Sequence, residues 1–198
     1  MVVSTAFLKH VSKVLAVGLS AYFALWACAP AASMRPPTLD LDAPHEIGLA
    51  GVATTNNGAT FAPDAQLWYE QRVGKKFSVG GTLFGGATGL VGVGALGRWH
   101  AVELDRFRLG VDFEGGFLYA AVGVPMAYRL LGDWWLYTSP SAGLRMNGLA
   151  RLPVGTQFGI GEHVRISVEG GVDFFNSTLA PGSSDVAFVG GLAAAVRW

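Results

Sequence analysis

The chain has 198 residues, with 14 Lys+Arg against 14 Asp+Glu, so its formal net charge is zero. That balance excludes a polybasic nucleic-acid binder and an acidic solvating tail. Only 14% of residues are charged, 51% are hydrophobic and 28 are glycine. This is too little charge for an ordinary soluble surface, where about a quarter of residues are charged, and too much glycine for a helical membrane bundle. The one cysteine excludes an intramolecular disulfide and a cysteine-rich zinc site, and no cofactor or metal is expected.

The first 13 residues carry Lys9, His10 and Lys13 and no acid, and Val14 to Ala27 follow as an apolar run of 14. A basic start with a run well short of the roughly 20 residues of a spanning helix predicts a secretory signal peptide over residues 1–27. The run closes on Leu25-Trp26-Ala27-Cys28, which resembles the lipobox of bacterial lipoproteins. The resemblance implies cleavage before Cys28, acylation of that residue and, with Ala29 in place of a retaining Asp, sorting to the outer membrane. The other reading is a plain signal peptide, with Cys28 discarded or left as a free thiol. Residues 28–44 contain Pro30, Pro36, Pro37 and Pro44. Proline removes backbone donors and fixes φ, so this stretch predicts an extended tether with no core of its own.

From Glu46 onward the pattern has period two. Phe107, Leu109, Val111 and Phe113 alternate with Arg108, Gly110, Asp112 and Glu114. Val164, Ile166, Val168, Val172 and Phe174 likewise alternate with Arg165, Ser167, Glu169, Gly171 and Asp173. Such alternation reads as strand. It gives ten strands, over 46–53, 65–73, 77–85, 90–100, 107–114, 118–130, 135–146, 149–160, 164–175 and 185–198, with eight as the other count. The longest connections, Thr54–Asp64 and Asn176–Ser184, follow odd-numbered strands, and those after even-numbered strands are short. An even strand number, with tight turns on one side and longer loops on the other, is the pattern of a closed antiparallel transmembrane β-barrel over residues 45–198. Charges fall on the face that also carries Gly, Ser and Ala. The opposite face is almost purely apolar, which suits hydrocarbon outside and not a soluble barrel with an oily inside.

Aromatic residues sharpen the membrane reading. Phe77, Trp99, Phe107, Tyr128, Trp134 and Trp198 fall at the ends nearest the chain termini, as a girdle at headgroup depth would. The chain stops at Trp198, on the apolar face with Val196 and Ala194. This resembles the terminal aromatic strand of bacterial outer-membrane β-barrel proteins. The resemblance implies an outer-membrane location with the N-terminus periplasmic, contact with outer-membrane lipids, and recognition by the barrel-assembly machinery. No nucleic-acid partner is expected.

Inward-facing charges are the candidate functional residues. Arg72, Arg98, Arg108, Arg129, Arg165 and Arg197 are placed toward the periplasmic half, and Arg145 and Arg151 at the outer ends. Glu70, Asp112, Glu114, Glu169 and Asp173 are placed nearer the middle or outer half. Eight arginines against five acids leave three over, which suggests a hydrated lumen preferring anions. The other reading is a network of buried Arg–carboxylate pairs filling a narrow barrel. Glycines at lumen positions 80, 92, 94, 110, 123, 143, 155, 171 and 191 fit either a watery or a tightly coiled interior.

Catalysis is not expected. His10 lies in the signal, and His45, His100 and His163 map to the periplasmic end, so no histidine stands at the outer rim as a general base. Gly92-Val93-Gly94-Ala95-Leu96-Gly97 matches G-x-G-x-x-G, but it sits inside a strand with no helix after it. The sequence therefore points to a passive small-solute pore or an envelope structural protein. The alternative is a non-conducting barrel that binds a partner through its external loops, and a lipid-modifying enzyme comes third.

Overall fold

A computed structural model of the chain describes residues 34–56, 60–86, 91–116, 119–145, 147–176 and 184–198. The predicted signal and Cys28 lie outside these. Twelve strand segments form one closed sheet. They are β1 (His45–Asn56), β2 (Thr60–Arg72), β3 (Phe77–Gly86), β4 (Val91–Glu103), β5 (Phe107–Gly116), β6 (Tyr119–Gly123), β7 (Met126–Leu131), β8 (Trp134–Thr138), β9 (Ser141–Arg145), β10 (Asn147–Ile160), β11 (Val164–Asn176) and β12 (Ser184–Arg197).

Two pairs of segments are halves of single staves. β6 and β7 both pair with β5, and β8 and β9 both pair with β10, so the barrel has ten antiparallel staves. The breaks fall at Pro125 and Pro140, which cannot donate to the ladder. Their carbonyls keep the staves joined: Gly110 N–H donates to Pro125 O at 2.9 Å and Val124 N–H to Pro140 O at 2.9 Å. Closure runs along β1 and β12, in register from Glu46 opposite Arg197 to Asn56 opposite Ala187. With no open edge, every wall strand has a partner on both sides, as hydrocarbon demands.

The connections at the end holding His45 and Trp198 are tight, and Gly132 (φ 53°) and Gly161 (φ 63°) take the left-handed conformation these turns need. At the other end the strands run further than the alternation indicated. β1 extends to Asn56 and β2 starts at Thr60, while β11 extends to Asn176 and β12 starts at Ser184. The expected external loops Thr54–Asp64 and Asn176–Ser184 are thereby corrected to 57–59 and 177–183, which lie outside the described residues. Polar and proline residues there are held in the ladder by pairing, Ala53 opposite Pro63 for one.

The two faces sort as alternation requires. Leu49, Leu67, Val93, Phe113, Leu144, Leu152 and Leu192 point outward and are exposed, Leu144 by 76%. Gln66, Glu70, Ser78, Arg98, Gln157, Ser167 and Glu169 point inward and are buried. A polar interior inside an apolar wall is the reverse of a water-soluble barrel.

Candidate functional site

The lumen is occupied by the chain itself. Met34, Arg35, Pro36, Pro37, Thr38 and Leu39 are all buried, while Leu41 and Asp42 are exposed at the mouth near His45 and Trp198. The described part of the predicted tether is thus corrected: it is extended, but it runs up the barrel axis. Two properties seat it. Its side chains include apolar Met34, which joins Val52, Trp68, Val189 and Ala193 in a core cluster inside the wall. Its carbonyls meet arginine donors: Arg98 Nη2 bonds Arg35 O at 2.8 Å, Arg197 Nη1 bonds Thr38 O at 2.8 Å, and Arg72 Nη1 bonds Leu39 O at 2.7 Å. Side chains add to the grip. Thr38 Oγ1 donates to Gln157 Oε1 at 2.6 Å, Arg35 reaches Glu114 at 2.9 Å, and Glu169 accepts the Met34 N–H at 3.0 Å.

Most wall arginines among the described residues are paired with carboxylates. Arg98 holds Asp112 at 2.6 Å and also reaches Glu70 at 3.5 Å; Arg151 meets Asp173 at 2.8 Å, and Arg197 meets Glu46 at 2.6 Å. Arg72 pairs with Glu103 at 2.5 Å and Arg165 with Asp133 at 3.0 Å, while Arg108 pairs with Asp40 of the segment. Arg129 lies with its guanidinium 4.5 Å from the centre of the Trp135 ring, which Arg108 also covers at 5.0 Å. Arg145 has its backbone in β9, and its side chain is outside the described residues.

The count that left three arginines over is corrected by this arrangement. Four carboxylates absent from the sequence-based set, Glu46, Glu103, Asp40 and Asp133, each neutralise one arginine. They sit at strand ends, in a turn or on the segment, where alternation gives no inward parity. Glu70, expected toward the middle, lies two residues from the end of β2 and sits beside Arg98.

Lumen glycines do not leave water-sized gaps where aromatic rings lie over them. A Cβ on Gly48 would come 2.1 Å from the Trp68 ring, one on Gly94 2.0 Å from Tyr119 Oη, and one on Gly155 2.4 Å from Tyr137. Gly48 faces Trp68 across β1–β2 and Gly155 faces Tyr137 across β10–β8, so each ring covers the glycine opposite.

The aromatic residues predicted as a girdle occupy the barrel end that holds His45 and Trp198. Phe77 is opposite Trp99, Phe107 opposite Tyr128, and Trp134 stacks on Phe158 with centroids 5.3 Å apart. Trp198 stacks on His45 at 5.6 Å.

One cluster invisible to alternation joins Ser78, His100 and Glu103. Ser78 Oγ is 3.1 Å from His100 Nε2, and His100 Nδ1 is 3.6 Å from Glu103 Oε1. The order resembles a serine nucleophile with its base, yet the serine proton is committed elsewhere: Ser78 donates to Glu70 Oε1 at 2.5 Å. His100 Nε2 must then donate into the serine oxygen and cannot act as its base.

No family model and no curated protein matches the chain. Among solved structures it is similar to the KdgM porin in complex with disordered oligogalacturonate, at 9% identity and TM-score 0.47 over 75% of this chain and 97% of that one. It is also similar to the NanC porin, at 7% and 0.44 over 74% and 98%. A third is the outer-membrane channel DcaP of Acinetobacter baumannii, at 11% and 0.42 over 84% and 68%. Identities this low say nothing of cargo.

Proposed function

We propose that this is an outer-membrane protein whose barrel is a small-solute channel held closed by its own N-terminal segment. The observation that carries the reading is the burial of Met34–Leu39 along the axis, bonded to arginines on several sides of the wall. A passively open, anion-selective pore needs both free space and uncompensated arginines; the buried segment argues against the first, and the pairing of the described wall arginines other than Arg129 argues against the second. The apolar exterior and the terminal aromatics support the outer membrane as the location. Catalysis is not part of this reading, because the serine–histidine pair is wired against nucleophile activation.

The test is planar-bilayer conductance of the full-length chain, with folding checked by heat-modifiable gel migration. The native chain should give no steps. The chain carrying P36D, P37D and L39D places three carboxylates in the lumen, which should expel the segment and produce steps. Silence from a folded triple variant would make the barrel an envelope structural protein. Acylation at Cys28 belongs to the same proposal: labelled palmitate should enter the native protein and not C28S.

A further inference from the structure

Along its axis the lumen is richer in donors than in charge. Arg72, Arg98 and Arg197 each spend one side of the guanidinium on a carboxylate, Glu103, Asp112 and Glu46; Arg98 and Arg197 turn their remaining N–H groups inward, whereas Arg72 sends one inward from Nη1 and gives the others to the turn carbonyls of Gly74 and Lys75. The inward N–H groups meet carbonyl oxygens of Leu39, Arg35 and Thr38, and Arg98 Nη1 also reaches Pro36 O at 3.3 Å. The segment suits this lining for a chemical reason. Pro36 and Pro37 have no N–H to bury, and the Thr38 N–H is used by Pro36 O at 2.8 Å. These three residues therefore bring acceptors into a dry interior and leave no donor unmet. Since wall carboxylates already neutralise Arg72, Arg98 and Arg197, the axis at these three recognises carbonyl lone pairs, and the one negative charge it takes from the segment is Asp40, on Arg108 at the mouth.

We infer that the lumen is a recognition track for an extended, proline-containing peptide, and that residues 34–40 are such a ligand supplied in cis. The inference rests on the proposal that the segment can leave the barrel. A peptide entering in trans has to match the same pattern: carbonyls facing the arginines, few N–H groups, and a hydroxyl at the Gln157–Arg197 level, where Thr38 Oγ1 accepts from Arg197 Nη2 at 2.6 Å.

The experiment keeps folding out of question. A site-specific protease sequence is inserted between Leu41 and Asp42, both exposed at the mouth; the full chain is folded, cut and washed. The probe is a labelled synthetic peptide, Met-Arg-Pro-Pro-Thr-Leu-Asp. The tethered segment competes at an effective concentration of about 1 mM, so the cut protein should bind the peptide at least ~10-fold more tightly than the uncut one. Replacing both peptide prolines by alanine adds two N–H groups and should weaken binding about 10-fold. Polyaspartate of equal length should not compete. Retention of the cut segment through gel filtration is itself non-covalent binding and supports the inference. Release of the segment without rebinding overturns it, as does polyaspartate competing as well as the peptide. Conductance separates the two proposals: steps from the washed protein without peptide binding sink only the peptide track. Peptide binding without steps sinks only the channel.

Discussion

Glu46→Ala is the most informative single change in the wall. Glu46 stands at the seam where β1 meets β12, opposite Arg197, and both side chains are almost wholly buried. Its Oε2 takes Arg197 Nε at 2.6 Å and its Oε1 takes Trp68 Nε1 at 2.9 Å. Truncation strands a buried guanidinium, which costs about 3–5 kcal/mol, and leaves an indole N–H without its acceptor, about 1–3 kcal/mol more if the wall does not relax. Arg197 keeps its bonds to Thr38 O and Thr38 Oγ1, so a loss of about 3–5 kcal/mol is expected overall. Glu46→Gln retains an acceptor for Trp68 and should lie between the native chain and the alanine variant. Pairing Glu46→Ala with Arg197→Met removes the stranded charge and should recover a large part of the loss. The assay is equilibrium urea unfolding in lipid vesicles, followed by tryptophan fluorescence. A loss under about 1 kcal/mol for Glu46→Ala, or a double variant as unstable as the single one, would refute the argument that the seam is held by a dry, mutually dependent pair.

Other perturbations test other layers of the same account. Leu192, outward on β12 and 59% exposed, should cost about 2–4 kcal/mol when replaced by Arg in vesicles; urea midpoints unchanged within error would contradict a hydrocarbon-facing position. Gly48→Ala and Gly155→Ala put a methyl onto Trp68 and Tyr137 and should each lose about 1–3 kcal/mol by overpacking. Gly51→Ala, with nothing within 4 Å, should leave stability close to native and serves as the control. Only the Gly48 variant should also shift the emission of a lumen tryptophan, read by fluorescence of the folded barrel.

The walls were legible because a strand's side-chain period is two and one face had to be apolar. Phe113 and Leu192 outside, with Asp112 and Gly191 inside, follow from that rule with no help from tertiary structure. Pro125 and Pro140 were visible as residues that cannot donate, yet alternation ran through both, and only cross-strand carbonyl bonds show how the staves survive the breaks. At the outer ends the rule failed in the other direction: Pro63 reads as loop by composition and is held in the ladder by its pairing with Ala53.

What fills the barrel obeys no local pattern. A proline pair read alone is a stiff solvated linker, because nothing in Pro36-Pro37 announces arginines waiting for its carbonyls. Those arginines looked surplus for a related reason: period two assigns a face only within a strand, and Glu103, Asp133 and Asp40 sit where strands end or have not begun. Each misplacement pushes the same way. Omitting carboxylates makes the lumen look basic, and leaving Met34–Leu39 outside makes it look open. Restored together, they turn an apparent anion pore into a barrel whose described interior is largely charge-paired and filled by its own segment. Anything that passes through it must first displace six residues that fit.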